Sequence, residues 1–326
     1  MTVHHILGAG VMGLCTAVEL AGRGAAVMLH DPAGLPGPHH CSWWAGGMLA
    51  PFCESETAEA IVGTEGRRAA DWWQTQGALV TRAGTLVVAP GRDRAELDRF
   101  ARRTRGHVWL TGAEATALEP LLEGRFPRAL FFEEEAHLNP RQALAALVTR
   151  AQALGVGFTT DPAPPGPVVD CRGLAARDLL PDLRGVKGEM LLLQAPGLHL
   201  SRPVRFLHPR IPLYIVPRGP GLFMIGATMI ESAERGRASV RSLLELLTAA
   251  YALHPAFGEA EVVEIGHDAR PAFPDNTPAL RQLPGRLCLN GLYRHGYLMA
   301  PWLARRAADL LTPDLPTTHL PTGETA

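Results

Sequence analysis

The chain has 326 residues with 31 basic and 32 acidic side chains, a near balance without any Lys/Arg block. That excludes a surface built for a phosphate backbone or an anionic membrane and favours a small-molecule partner, with no nucleic acid and no membrane. At this length one hydrophobic core usually stops growing, so two domains are expected.

The first apolar run, "VHHILGAG", meets glycines at once and leaves no room for a secretory leader, and no apolar stretch reaches the ~18 residues of a membrane span. A cytoplasmic protein is expected. The five cysteines, Cys15, Cys41, Cys53, Cys171 and Cys288, are odd in number and scattered, which argues against a disulfide framework and against a metal site.

In chain order, "HHIL" reads as a strand, and Gly8-Ala9-Gly10-Val11-Met12-Gly13 follows it as a GxGxxG turn. Leu14, Ala17, Val18 and Ala21 then recur at helical spacing, Gly22 and Gly24 stop the helix, and "AAVMLH" forms a second strand closed by Asp31. A bare GxGxxG is weak in a chain with 34 glycines. Here it follows a strand, opens a helix and precedes an acidic residue by about 20 positions, which is the setting of a dinucleotide fingerprint. Gly8 permits the tight turn, Gly10 lets backbone approach a pyrophosphate, and Gly13 lets helix pack on strand. The helix N-terminus offers free N–H groups to phosphates, and Asp31 can accept from a ribose hydroxyl. This fingerprint alone does not separate NAD from FAD.

The segment "CSWWAGGMLAP", 41–51, joins a hydroxyl, two tryptophans and a Gly-Gly pair, a loop whose backbone can approach something flat or charged. Residues 55–77 look helical, "TLVVA" is strand-like, and "RDRAELDRFARRTRG" is a charged amphipathic helix. Asn139 as N-cap and Pro140 at the first helical position open a helix ending at Gly155. "GVGFTTD" and "PVVDCRG" read as strands returning to the first domain. From Gly188 the strands "GEMLLLQA", "RFLHPRIPLYIVPR" and "LFMIGATMIE" indicate a second, antiparallel sheet. Ser239 caps the helix "VRSLLELLTAAYAL", and "AEVVEIGHDARP" leads back toward the first domain. The Thr/Pro-rich end reads as a disordered tail.

"GAGVMG", "SWWAGGMLAP", "YIVPR", "GATM", "RPAFPDN" and "NGLYRHGYLMAP" occur in the order found in the glycine oxidase branch of the D-amino-acid oxidase family of flavoproteins, which the chain resembles from Val3 to about Leu311. The resemblance turns the open dinucleotide choice into non-covalent FAD. It implies an α/β protein: a Rossmann-like FAD-binding domain interleaved with an α+β substrate domain on a mainly antiparallel sheet. The expected division is 1–82, 135–184 and 262–315 for FAD, 83–134 and 185–261 for substrate, and 316–326 as tail. Val11, Met12 and Asp31 would lie along the ADP half, with Cys41, Ser42, Gly46, Gly47 and Met48 near the pyrophosphate and ring. Leu292, Tyr293, Arg294, His295, Gly296, Tyr297 and Leu298 would wrap the flavin ring. The paired Trp43 and Trp44 depart from the better-known members.

The resemblance also assigns Arg270 as carboxylate partner, Arg294 beside substrate and flavin, Tyr214 as a hydroxyl reaching the carboxylate, and Met229 as an apolar wall of a small pocket. Arg suits a carboxylate because its planar fork makes two charge-assisted hydrogen bonds. The implied reaction takes hydride from the α-carbon of glycine or another small amino acid to flavin N5, and dioxygen then yields hydrogen peroxide. The chemistry is the cofactor's and needs no protein nucleophile. The imine would hydrolyse to glyoxylate and ammonia or serve thiamine thiazole synthesis. The alternatives are a sarcosine or other secondary-amine oxidase, a D-amino-acid dehydrogenase, and a non-catalytic flavin-binding subunit. A homo-oligomer and a functional link to thiazole synthase are left open.

Overall fold

A computed structural model describes residues 2–208 and 211–314. The expected tail, 316–326, lies outside the described residues, as do residues 209 and 210 of the expected strand run.

The first layer is a six-stranded sheet among the described residues. Val3–Leu7 pairs in parallel with Ala26–His30 on one side and Val168–Asp170 on the other. Gly157–Thr159 extends the sheet beyond Ala26–His30, and Arg286–Asn290 extends it beyond Val168–Asp170, both in parallel. A hairpin adds Ala279–Leu283 antiparallel at the edge, with Gly285 at φ 70° in the turn. The winding reverses at Val3–Leu7, and in open α/β sheets the crevice at the carboxyl ends of such strands takes ligands. The glycine turn sits at that end.

The helix Val11–Gly22 buries Leu14, Cys15, Ala17 and Val18 against this sheet and against the helix Gly296–Leu311. A Cβ on Gly13 would lie 1.8 Å from the Gly8 carbonyl oxygen, so only glycine lets helix and turn meet. Pro140–Ala153 starts as its sequence implies, with Asn139 Oδ1 accepting from the Arg141 amide at 3.1 Å. Trp72 and Trp73 fill the core of this layer, and the buried Trp73 indole N–H donates to Tyr297 O at 2.7 Å. That bond satisfies a donor that would cost roughly 1–3 kcal/mol if stranded.

The second layer is a mostly antiparallel sheet. Its central strand, Arg184–Gln194, pairs with Leu222–Gly226 on one side and Glu261–Ala272 on the other. Beyond Leu222–Gly226 come Leu213–Gly219, Val204–Phe206, Thr85–Val88, Arg128–Phe132 and Val108–Thr111. Leu191, Leu193, Ile215 and Phe223 pack under Leu246 and Leu253 of the helix Val240–Leu253, whose Ser239 cap accepts from the Ser242 amide. A small sheet pairs Ala136–Leu138 with Met48–Leu49 and Val80–Thr81.

Three expectations change. The helical stretch 55–77 is broken into Ala60–Glu65, Gly66–Arg68 and Ala69–Thr75, after a turn that follows Pro51–Glu54. A Cβ at Gly66 would lie 2.8 Å from Leu298, so the chain gives up helix regularity where it must approach the C-terminal helix closely. The expected strand from Arg205 to Arg218 is two strands, Val204–Phe206 and Leu213–Gly219. Glu261–Ala272 pairs along its length with Arg184–Gln194 in the second sheet, so we propose the last domain boundary near residue 273 rather than 262. No helix among the described residues is long and apolar enough to cross a membrane.

Candidate functional site

A single cavity of about 1010 Å³ runs from the glycine turn to the face of the second sheet. Ligand sites span roughly 300–1,000 Å³, so this one has room for a dinucleotide and a small second molecule. It is lined by Gly8, Gly10, Val11, Met12 and Asp31, by Cys41, Ser42, Gly46, Gly47 and Met48, by Leu292 to Leu298, and by Tyr214, Met229 and Arg270. Every residue expected at the site borders the same space except Gly13, which packs against the Gly8 carbonyl and Cys171.

At the glycine turn, Gly8 has φ 99°, and a Cβ there would lie 2.7 Å from the Cys171 carbonyl oxygen. The first intrahelical bond is Leu14 N–H to Gly10 O, which leaves the earlier amides as first-turn donors. One of these, Val11 N–H, donates to Ser42 Oγ at 3.1 Å and so ties the second glycine loop to the helix start. Asp31 accepts from the amides of Ala9 at 2.7 Å and Ala33 at 2.9 Å, and from His40 Nε2 at 2.9 Å. Burial opposes its charge, yet His40 and the two amides outweigh burial and hold the carboxyl below the usual range. The turn "DPAPPGP" also lines the cavity, together with Arg172 and Arg286.

In the second glycine loop, Gly47 has φ 71° and a Cβ there would lie 2.2 Å from Leu138 O. Arg218 anchors the loop from beneath, donating to Gly46 O at 2.6 Å, Ala45 O at 3.2 Å and Leu138 O at 3.1 Å. Burial without a carboxylate lowers its guanidinium to about 9. Of the two tryptophans, Trp44 borders the cavity and stacks on His267, in space that Gly266 leaves free. Trp43 faces the Arg141 guanidinium at 4.8 Å.

The C-terminal segment closes the cavity. Tyr293 takes φ 49°, His295 is the N-cap of Gly296–Leu311, and Met299 N–H to His295 O is the first bond of that helix. The amides of Gly296, Tyr297 and Leu298 are thus first-turn donors on residues that line the cavity. Two helix N-termini reach one cavity, and their partial positive charges suit a diphosphate and an anionic ring. The Tyr297 hydroxyl donates to Ser42 O at 3.0 Å, joining both loops.

At the opposite end stand the expected substrate residues. Arg270 Nη1 donates to Thr228 O at 3.2 Å, and among the described residues no carboxylate lies within ion-pair distance of it. Burial lowers its guanidinium below the ordinary value, which is the signature of a cation lacking its counter-ion. Arg294 differs: its Nε meets Glu54 Oε2 at 2.6 Å and its Nη2 donates to Thr57 Oγ1 at 2.8 Å. Met229 is half exposed to the cavity, with its sulfur 3.4 Å from the Tyr293 hydroxyl. The Tyr214 hydroxyl donates to Glu54 Oε1 at 3.3 Å and accepts from Arg205 Nη1 at 2.9 Å.

Sequence reasoning missed Arg205, Glu54 and Glu56. Arg205 pairs with Glu56 at 3.0 Å and lies 3.8 Å from Glu54. Burial alone would raise the Glu54 carboxyl, but Arg294, His295 and Arg205 pull it down to about 2. His295 sits 3.4 Å from the same carboxylate, and burial pushes its ring down to about 4. The signal available was the run "CESE", which puts two carboxylates just after the glycine loop.

The family model described as FAD dependent oxidoreductase, DAO, matches residues 5–310. A protein of Rhizobium etli named for a thiamine biosynthesis oxidoreductase, ThiO, is 55% identical over 311 residues, 93% of this chain and 94% of its own. A glycine oxidase of Pseudomonas aeruginosa is 27% identical over 348 residues, covering 94% of each chain. The crystal structure of glycine oxidase from Geobacillus kaustophilus matches with a TM-score of 0.80 at 24% identity, covering 98% of both chains. These findings bear out the expected fold and FAD as the cofactor. The cavity's volume, its glycine cradles and its two helix N-termini fit that cofactor.

Proposed function

The chain belongs to the DAO family of FAD-dependent oxidoreductases, and from that premise we propose that it oxidises glycine or another small amino acid with dioxygen as acceptor. The observation that carries the reading is Arg270, a half-buried guanidinium that borders the far end of the cavity and has no carboxylate partner among the described residues. A free α-carboxylate supplies the missing counter-ion, and the planar fork fixes its orientation. Met229, Tyr293 and Arg294 crowd the same end and favour a substrate with little or no side chain.

Gly8, Gly10, Val11 and Met12 would hold the diphosphate, the loop from Cys41 to Met48 would approach the ring, and Leu292 to Leu298 would close over it. FAD held there non-covalently would supply a two-electron acceptor for the hydride of the substrate α-carbon, with dioxygen as the final acceptor and hydrogen peroxide as product. The protein orients the carboxylate through Arg270, shields the pocket from water, and offers the first turn of Gly296–Leu311 to negative charge that develops on reduction. The imine left by the substrate adds water to give glyoxylate and ammonia, or passes to thiazole synthesis. The 55% identity to the Rhizobium etli relative supports that metabolic place.

An aerobic peroxide screen across glycine, sarcosine and small D-amino acids tests the reading. Peroxide with glycine supports it. A preference for sarcosine points to the secondary-amine oxidase, flavin reduction without peroxide points to a dehydrogenase, and inertness to all three points to a flavin-binding subunit.

A further inference from the structure

We propose that Glu54 limits the substrate to a single anionic group, admitting a monocarboxylate amine and rejecting an amine that carries a second carboxylate. The proposal rests on the reading of Arg270 as the carboxylate anchor and deepens it. Three guanidinium groups border the substrate end of the cavity: Arg205, Arg270 and Arg294. Arg205 is held by Glu56 at 3.0 Å and by the Tyr214 hydroxyl at 2.9 Å. Arg294 is held by Glu54 at 2.6 Å and by Thr57 at 2.8 Å. Three cations against two carboxylates leave one positive charge, and geometry places it on Arg270.

A second carboxylate on the substrate would need Arg294, the remaining cation with donors toward the pocket. To take it, the ligand must separate the Arg294–Glu54 pair and leave a buried anion facing a new anion. Removing the partner from a buried pair is costly because the stranded charge keeps no solvent to replace it. Protonation does not relieve the conflict near neutral pH, since the Glu54 carboxyl is held down at about 2. Asp268, which also lines the cavity, is already tied to Arg235 at 2.6 Å. The ion pair therefore acts as an internal counter-ion that occupies the second anion position. This is discrimination through a repulsive element rather than a better fit.

The test uses FAD-loaded protein and two unreactive probes, acetate and malonate, followed through the change each makes in the flavin absorbance spectrum. Acetate is expected to bind the native protein about tenfold or more tightly than malonate, although malonate has more charge to offer a cationic pocket. In Glu54→Gln the order shifts by about tenfold or more toward malonate, because its second carboxylate replaces the lost counter-ion of Arg294. Equal or tighter malonate binding by the native protein overturns the proposal, and this comparison needs no variant to fold. An unchanged ratio in a folded, flavin-loaded Glu54→Gln also overturns it. Failure of acetate to bind the native protein at all overturns the Arg270 reading beneath it, whereas acetate binding without discrimination overturns the Glu54 proposal alone.

Discussion

A Cβ atom on Gly188 would lie 2.0 Å from Nη2 of Arg270 and 2.3 Å from its Cζ. The guanidinium rests on the bare backbone of the central strand Arg184–Gln194, where Gly188 is paired with Asp268. Any side chain at 188 must push it toward the cavity.

Gly188→Ala is therefore expected to lower kcat/KM for glycine by about 10²-fold, the usual cost of a misplacement near 1 Å. Flavin content and thermal stability should stay close to native, because the strand keeps its hydrogen bonds. Steady-state kinetics with a flavin absorbance count checks this, and native kinetics would remove Arg270 from the proposed anchor position.

Arg270→Ala removes the uncompensated cation itself. On the proposed reading it raises KM for glycine by roughly 10²-fold or more, in line with truncating one partner of a buried charge pair. The protein should remain yellow, since the cofactor cradle lies in the first layer. Loss of flavin without a change in KM would place Arg270 in the cofactor site instead.

Cys288 bears on how FAD is held. It is 1% exposed and packs with Phe273, Leu180 and Leu183, away from the cavity lining. Acid precipitation is expected to leave the flavin in the supernatant. Flavin in the pellet would show a covalent link and favour the sarcosine oxidase reading.

Glu135 predicts a pH effect on stability. Its Oε1 accepts the Cys53 amide at 2.7 Å, and burial raises the carboxyl to about 7 from an ordinary value of 4.5. A folded-state value above the unfolded one gives stability that is complete below pH 4.5 and lost as pH rises through about 7. Glu135→Gln keeps the acceptor and removes the titration. The variant should match the native melting temperature near pH 4.5 and exceed it at pH 8, by on the order of 3 kcal/mol in stability. His137 and His295, both pushed down to about 4, titrate alike in the two proteins and cancel in the comparison. A difference that does not grow with pH would contradict the assignment.

The cofactor half was legible because local chemistry dictates it. Gly8 and Gly13 answer to contacts within a few residues or with a neighbouring strand, and the Asn139 and Ser239 caps act on amides two or three positions away. The substrate half was legible in part through the order of its motifs. Its ion-pair network was not, because Arg205 reaches Glu56 across 149 residues and meets Tyr214 through the register of two antiparallel strands. Nothing in a one-dimensional pattern encodes that register. The same cause hid the pairing of Glu261–Ala272, whose motif reads toward the cofactor while its backbone belongs to the second sheet.

Anaerobic mixing of the FAD-loaded protein with glycine tests the central claim most directly. The oxidised flavin spectrum is expected to bleach, with one glyoxylate for each flavin reduced, and colour is expected to return with hydrogen peroxide when air is admitted. A flavin that stays oxidised in glycine, sarcosine and small D-amino acids alike would contradict it.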